Sequence, residues 1–536
     1  MEAVRREGKT SVTKSIRSGV VWHLLACAAA CVFAGMSWAA PDVVQGELTV
    51  HTDRPLAVIS PEIYGQFAEH LGNGMYGGLW VGAHSKIPNV RGFRKDVVDA
   101  LKKLGVPVVR WPGGCFADQY HWRDGIGSHR PTRINTTWGG VAETNAVGTH
   151  EYLDLMQQLG AKSYIDSNVG TGSPQETKDW LEYLTSDSKS SLAQLRAKNG
   201  RKKPWKVDYF AFGNELWGCG GNMRPEFYAD LYHWYATFAK TPKDDTPKWI
   251  AAGSYDDNTA WTEALMASNK FHDMDAVTLH HFSLPTGSWT GSKGPATGFG
   301  EDQWMSIMQR ALKMDALIAA HSAVMDKYDP DKKVALYVDE WSNWYDVEPG
   351  TNPAFLHQQN TLRDAVTAAV NLDIFQAHAD RVRMACITQM VNVLQAMIFT
   401  NGPWMMLTPT YHVFMMYKPF RGAMNLAFDL NTPDYRFGGA AVPALHVAVA
   451  RDPDGRVVIA LVNLDPHRAA HTDVSLEPAG YTSVSGSILS ANTMDAHNTF
   501  ARPDAVKPAV FTGAALAGGK LAVDMPAKSV VVLTLQ

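Results

Sequence analysis

Two glutamates stand where a pair of carboxyl groups could do chemistry. Glu215 closes the run Tyr209-Phe210-Ala211-Phe212-Gly213-Asn214-Glu215, and Glu340 closes Leu336-Tyr337-Val338-Asp339-Glu340. Each ends a short apolar run of strand character. An unpaired carboxylate in a core is costly, so packing alone does not explain them. A salt bridge at a rim would explain either one, but it explains a matched pair poorly. Cleavage of a glycosidic bond needs such a pair. One carboxyl must be protonated to push a proton onto the leaving oxygen, and the other must be ionised to attack or to activate water. Burial and mutual repulsion hold two such pKa values apart, each unit being worth about 1.4 kcal/mol. A separation of about 5–5.5 Å would make the second group a nucleophile and retain the anomeric configuration.

The elements that must position this pair follow a rhythm. Eight candidate strands run along the chain: Ile63–Phe67, Val106–Trp111, Ala161–Asn168, Val207–Gly213, Trp249–Gly253, Ala276–His281, Val334–Glu340 and Arg383–Thr388. Helix-like segments such as Phe93–Leu104, Thr149–Leu159, Pro225–Ala239 and Leu356–Ala377 separate them. Alternation of this kind implies parallel strands with right-handed crossovers, and eight units imply a (β/α)8 TIM barrel. Glu215 and Glu340 then sit at the carboxyl ends of strands four and seven, which face each other across the barrel mouth. From about Phe420 the pattern becomes short alternating strands between Gly, Pro, Asn and Asp, an antiparallel β-sandwich. The early strand Glu47–Ile59 is expected to join it, which makes the sandwich discontinuous. The expected division is a catalytic barrel at 60–419 and a sandwich from 41–59 plus 420–536.

Composition sets outer bounds. The chain has 536 residues, 46% of them hydrophobic and 19% charged, enough for a large core. A formal charge of −4 with mixed signs suggests neither a nucleic-acid nor an anionic-membrane partner. Arg5, Arg6, Lys9, Lys14 and Arg17 precede an apolar stretch from Val20 to Met36, followed by Ser37, Ala39 and Ala40. That pattern is expected to be a signal peptide at 1–40, placing the mature chain in the periplasm or outside the cell. Cys27 and Cys31 would leave with it. Cys115, Cys219 and Cys386 would remain, allowing one disulfide and requiring none.

The Gly213-Asn214-Glu215 and Asp339-Glu340-Trp341 segments resemble the large glycosidase clan built on barrels of this type. Within it the chain resembles glycoside hydrolase family 51, the α-L-arabinofuranosidases. The resemblance rests on an ordered series: Gly65-Gln66-Phe67-Ala68-Glu69-His70-Leu71-Gly72, Arg110-Trp111-Pro112-Gly113-Gly114-Cys115-Phe116, Trp122-Arg123-Asp124-Gly125-Ile126-Gly127, Gly148-Thr149-His150-Glu151, Asp339-Glu340-Trp341-Ser342-Asn343-Trp344-Tyr345 and Gln389-Met390-Val391-Asn392. It runs from about residue 45 to the C-terminus. It implies that Glu215 is the acid/base and Glu340 the nucleophile of a retaining exo-glycosidase acting on arabinose-containing hemicellulose or pectin. Asn214 would contact the 2-hydroxyl, and Arg110 would hold Glu340 ionised and oriented. Glu69, Cys115, Trp138, His280, Trp344 and Gln389 would contact the sugar. No metal or cofactor is implied, and the resemblance admits a homo-oligomer. Two departures stand out. Cys115 replaces the Asn common after Pro-Gly-Gly. The usual His, any residue, Tyr motif of strand six reads His280-His281-Phe282, so the Tyr hydroxyl that would donate to the nucleophile is absent, and either His281 or water compensates or Glu340 is tuned differently.

Rival readings fare worse. A metal hydrolase built on His280, His281, Asp339 and Glu340 would need neighbours on one strand to point the same way, which the alternation of a strand forbids without a bulge. A non-catalytic carbohydrate-binding protein would not need both Glu215 and Glu340 with Asn214 beside the first. No Gly-x-Ser-x-Gly elbow supports an esterase. An endo-β-glucanase or β-xylosidase on the same scaffold would use the same pair and is the runner-up.

Overall fold

A computed structural model describes residues 42–536 except 243–245, 270–272 and 479; the expected leader at 1–40 lies outside the described residues. Eight parallel strands close into a ring: Gly65–Phe67, Val108–Trp111, Lys162–Ser167, Tyr209–Phe212, Lys248–Tyr255, Ala276–Ser283, Ala335–Asn343 and Val382–Ile387. Each overlaps one expected strand. Strands six and seven are buried at every residue, because one side faces the barrel core and the other faces helices. Inside the ring Phe67, Val108, Tyr164, Ile250, Tyr337 and Met384 pack together, so the barrel is filled rather than open.

Two boundaries differ from expectation for local reasons that bear on the carboxylates. The fourth strand stops at Phe212, because Gly213 (φ 80°) and Glu215 (φ 45°) adopt left-handed backbone and turn the chain out of the sheet. For a glutamate that conformation is strained, and it lifts the side chain over the barrel mouth. The helix after strand seven begins at Leu362 rather than Leu356. Thr361 forms a capping box with Asp364, and the chain before it, with Leu356 at φ 50°, cannot be helical.

A further departure lies within strand seven. Strict alternation would put Asp339 and Glu340 on opposite faces, yet both reach the same guanidinium, that of Arg110. Pairing with strand eight shifts register between Val338 and Trp341, and a bulge there turns both side chains inward. A bulge is the condition under which such neighbours can share a partner, and strand seven meets it.

Ten of the remaining strands form one sheet in which Val44–Val58 lies between Met424–Asn431 and Ala470–Glu477, and the others pair off into four two-stranded sheets. Its pairing with Ala470–Glu477 is parallel, the single exception in an otherwise antiparallel sheet. Val484–Ser490 and Ala514–Ala517, near opposite ends of the strand order, come together, so the sheet folds back into a sandwich.

Asp364 ties strand seven to its helix. Its Oδ1 accepts from Asn343 Nδ2 and Tyr345 Oη, both at 2.9 Å, and its Oδ2 accepts from Thr361 N at 2.7 Å. Asp364→Ala leaves these buried donors unpaired and is expected to cost about 3 kcal/mol or more, read as a lower denaturation midpoint.

Candidate active site

Arg110, at the end of strand two, is buried where the strand ends converge. Its Nη1 donates to Glu340 Oε1 at 2.6 Å, and its Nη2 donates to Asp166 Oδ2 at 2.9 Å and Asn214 Oδ1 at 2.6 Å. Its Nε faces Asp339 Oδ2 at 3.2 Å. Burial works against the cation, but Asp339, Glu340 and Asp166 together raise its pKa well above the ordinary value. Arg110 therefore stays charged and acts as a fixed fork. Asn214 Oδ1 is taken by Arg110, and its Nδ2 donates to Cys219 Sγ at 3.8 Å.

His280, from strand six, bridges the second tier. Its Nδ1 lies 2.8 Å from Glu215 Oε1 and 3.7 Å from Glu340 Oε2, and its Nε2 lies 3.1 Å from Asp339 Oδ1. Burial alone would depress its pKa, but Glu340 and Asp339 outweigh it and raise it to about 10. The ring is thus an imidazolium that donates through both nitrogens, so Glu215 Oε1 is an acceptor and a transferable proton belongs on Oε2. Burial pushes the Glu340 carboxyl up, and the His280 and Arg110 cations pull against it without cancelling the rise. One carboxylate oxygen of Glu215 lies within 4.8 Å of one of Glu340.

Glycines let these groups approach. A Cβ on Gly114 would lie 2.5 Å from Glu340 Oε1, and one on Gly113 would lie 2.6 Å from Glu69 Cγ. The Pro-Gly-Gly turn is thus a contact surface for both glutamates. Glu69 accepts from Phe116 N at 3.0 Å and Trp138 Nε1 at 2.9 Å on Oε1, and from Gln389 Nε2 at 3.1 Å on Oε2. An ionised carboxylate has about four acceptor positions, which leaves one on Oε2 for a hydroxyl of a ligand.

Glu69, Cys115, Trp138, Glu215, Glu340, Trp344 and Gln389 all line one opening of about 400 Å³. Asn214, Arg110 and His280 lie beneath it, so His280 meets the carboxylates from below rather than forming the wall. Cys115 is not a thiol but half of a disulfide with Cys219. His281 does not stand in for the missing tyrosine; it turns away to Asp256 at 3.1 Å and the Arg310 carbonyl at 3.1 Å. Phe282 instead packs edge-on against Trp344 and Trp289, ring centres 5.3 and 6.1 Å apart.

Sequence reasoning missed several groups. Asp166 and Asp339 complete the ring around Arg110, and Tyr164 donates to Asp339 Oδ2 at 2.6 Å. The signal for Asp166 was a charge inside the apolar run Ser163-Tyr164-Ile165-Asp166. Asp118 anchors the Glu215 turn by accepting from Asn214 N, Val169 N and Gly170 N, each at 2.8 Å. Trp217, Tyr255 and Trp289 form much of the wall, and no spacing rule marks loop aromatics of this kind.

Comparison with known proteins agrees with this geometry. Residues 100–292 match the family model of the α-L-arabinofuranosidase 1 domain, and residues 339–529 match that of the α-L-arabinofuranosidase C-terminal domain. An intracellular exo-α-L-arabinofuranosidase of Bacteroides ovatus is 47% identical over 492 residues, 91% of this chain and 95% of that protein. The crystal structure of a family 51 arabinofuranosidase from Xanthomonas axonopodis pv. citri is 52% identical, with a TM-score of 0.90 over 92% of this chain and all of that one (100%). That of an α-L-arabinofuranosidase from Thermotoga maritima, an arabinose complex, is 28% identical, with a TM-score of 0.78 over 91% of this chain and 99% of that one. The expected periplasmic or extracellular location is corrected by the Bacteroides ovatus relative, which is named intracellular. The basic and apolar run in residues 1–40 is a pattern of composition and carries less weight than the compartment in that relative's name.

Two outcomes follow from the packing. Gly114→Ala should displace Glu340 while leaving the fold intact, lowering kcat/KM about 100-fold, with far-ultraviolet circular dichroism unchanged. Burial, then repulsion from Glu340, raises Glu69 from its ordinary 4.5 to about 7. Between those values the folded state holds a proton that the unfolded state has released. Stability is therefore greatest below pH 4.5 as far as Glu69 is concerned, and falls as pH rises to about 7. The loss is about 3 kcal/mol, and Glu69→Gln should remove that slope from thermal unfolding curves.

Proposed function

The chain belongs to glycoside hydrolase family 51, the α-L-arabinofuranosidases, and on that premise we propose that it releases terminal non-reducing α-L-arabinofuranosyl residues from hemicellulose or pectin with Glu340 as nucleophile and Glu215 as acid/base. The observation that carries the reading is the pair itself: two carboxylates from opposite strand ends, with oxygens within 4.8 Å and one cation seated against each. That closeness is in keeping with the direct attack of a retaining pair, whose carboxyl groups lie about 5–5.5 Å apart. The endo-β-glucanase and β-xylosidase alternatives are not retained.

Glu340 attacks the anomeric carbon as the bond to the leaving oxygen breaks, and Glu215 Oε2 delivers its proton to that oxygen. The product is a glycosyl ester on Glu340. Water then attacks the same carbon, Glu215 takes back a proton, and the ester bond breaks to free arabinose. Arg110 fixes Glu340 Oε1, leaving Oε2 to attack. Asn214 Nδ2 donates to the 2-hydroxyl, an interaction that tightens as positive charge develops on the ring. Glu69 Oε2 accepts from a second hydroxyl, and Trp138 and Trp344 border the ring.

Turnover of 4-nitrophenyl α-L-arabinofuranoside tests the assignment. Glu340→Ala and Glu215→Ala should each lose about 10³-fold or more in turnover of a natural arabinoside. Added azide separates the roles. With Glu215→Ala it intercepts the ester and yields the α-azide, whereas with Glu340→Ala it attacks directly and yields the β-azide. The reverse pattern would exchange the two roles.

A further inference from the structure

The disulfide Cys115–Cys219 occupies an unusual place. It joins the Pro-Gly-Gly turn after strand two to the turn that carries Glu215, and Cys115 lines the opening. Cys219 is exposed and Cys115 half-buried, so a reductant can reach the bond. Cys219 Sγ lies 3.5 Å from Glu215 Oε2. A disulfide sulfur has no proton to donate, so this is a bare contact on the oxygen that must carry the catalytic proton. Cys115, Cys219 and Glu215 each offer a ligand atom, all within 4.8 Å of one another.

We propose that reduction of Cys115–Cys219 converts this corner into a site for a thiophilic divalent cation, zinc or cadmium, held by two thiolates and Glu215, and that its occupation blocks the acid/base. The inference rests on Glu215 being that group. The reductant is a dithiol, which gives two electrons and two protons to the two sulfurs and leaves as its own disulfide, or a phosphine, which gives two electrons, takes the oxygen of one water whose two protons go to the sulfurs, and leaves as its oxide. The cation then displaces both thiol protons. Tetrahedral zinc holds sulfurs about 3.8 Å apart at Zn–S distances of about 2.3 Å. The Cα atoms of the two cysteines, 5.5 Å apart, permit that without moving the backbone. Both turns keep other anchors after the cross-link is cut. Asp118 still accepts from Asn214 N at 2.8 Å, and the Glu215 carbonyl accepts from Gly218 N at 2.7 Å and Gly220 N at 3.1 Å. Glu215 Oε1 remains with His280, so the cation takes Oε2, where the proton would sit. The fourth position faces the opening and is left to solvent, as in a three-ligand zinc site.

The test uses the full chain carrying Cys27→Ser and Cys31→Ser, which leaves Cys386, buried in the barrel, as the other thiol. The protein is reduced with a phosphine and titrated with cadmium. The expected result is a thiolate-to-cadmium charge-transfer band saturating at about one cation per chain. A parallel fall in arabinofuranoside turnover of about tenfold or more, reversed by a chelator, should accompany it. The oxidised chain should show neither effect. Cys219→Ser, checked for folding by circular dichroism, should lose the band after reduction, and Cys115→Ser should do the same. Absence of the band in reduced protein whose two thiols are accessible to a thiol reagent would overturn the proposal. So would equal inhibition of the oxidised chain, which would place the cation among Glu215, His280 and Glu340. A band with undiminished turnover would place the cation on the two thiolates without Glu215 and overturn the proposed block, while the azide products decide separately whether Glu215 is the acid/base.

Discussion

The site depends on one buried guanidinium. Arg110 meets Glu340, Asp166 and Asn214 within hydrogen-bond distance and faces Asp339 at 3.2 Å. These partners come from strands three, four and seven, so Arg110 links three strand ends to its own. Removing one partner of a buried ion pair strands the others, which is why such a cluster holds its geometry firmly. The planar fork also imposes direction, taking one oxygen of Glu340 and the oxygen of Asn214 and leaving the complementary atoms for the sugar. A lysine would supply the charge but not this partition.

Around that centre, backbone devices set the last ångströms. The bulge in strand seven brings Asp339 and Glu340 to one side. Positive φ at Gly213 and Glu215 carries the Glu215 carboxyl off strand four and over the mouth. Glycines at 113 and 114 admit both glutamates to distances that a methyl group would forbid. The electrostatics are equally shared. His280, charged because Glu340 and Asp339 outweigh its burial, donates to Glu215 on one side and Asp339 on the other. It thereby decides which oxygen of Glu215 faces the substrate.

The wall of the opening answers the loss of the strand-six tyrosine differently from expectation. Phe282 joins Trp289 and Trp344 in an edge-to-face cluster, and Trp289 meets Tyr255 at 5.5 Å. The position contributes apolar shape to the pocket, while the charge on Glu340 is managed from below by Arg110 and His280. Aromatic edges and faces of this kind suit the C–H surface of a sugar.

The eight barrel strands, the meeting of Glu215 and Glu340 at the barrel mouth and the family were all legible in the sequence. Apolar runs of strand length separated by helical periods admit few packings, and a charge ending two such runs has few explanations. Glu69, Trp138, Trp344 and Gln389 were legible only through the ordered motifs, because isolated polar and aromatic residues carry no spacing signal. Only the tertiary structure decided that Asp339 and Glu340 share Arg110, since a bulge is invisible to a period of two. It alone decided that His280 faces the carboxylates while His281 turns to Asp256, and that Cys115 pairs with Cys219 across 104 residues of sequence. Those outcomes depend on distances between segments remote in the chain, and a linear pattern of residue types specifies which groups are present but not how closely folding brings them together.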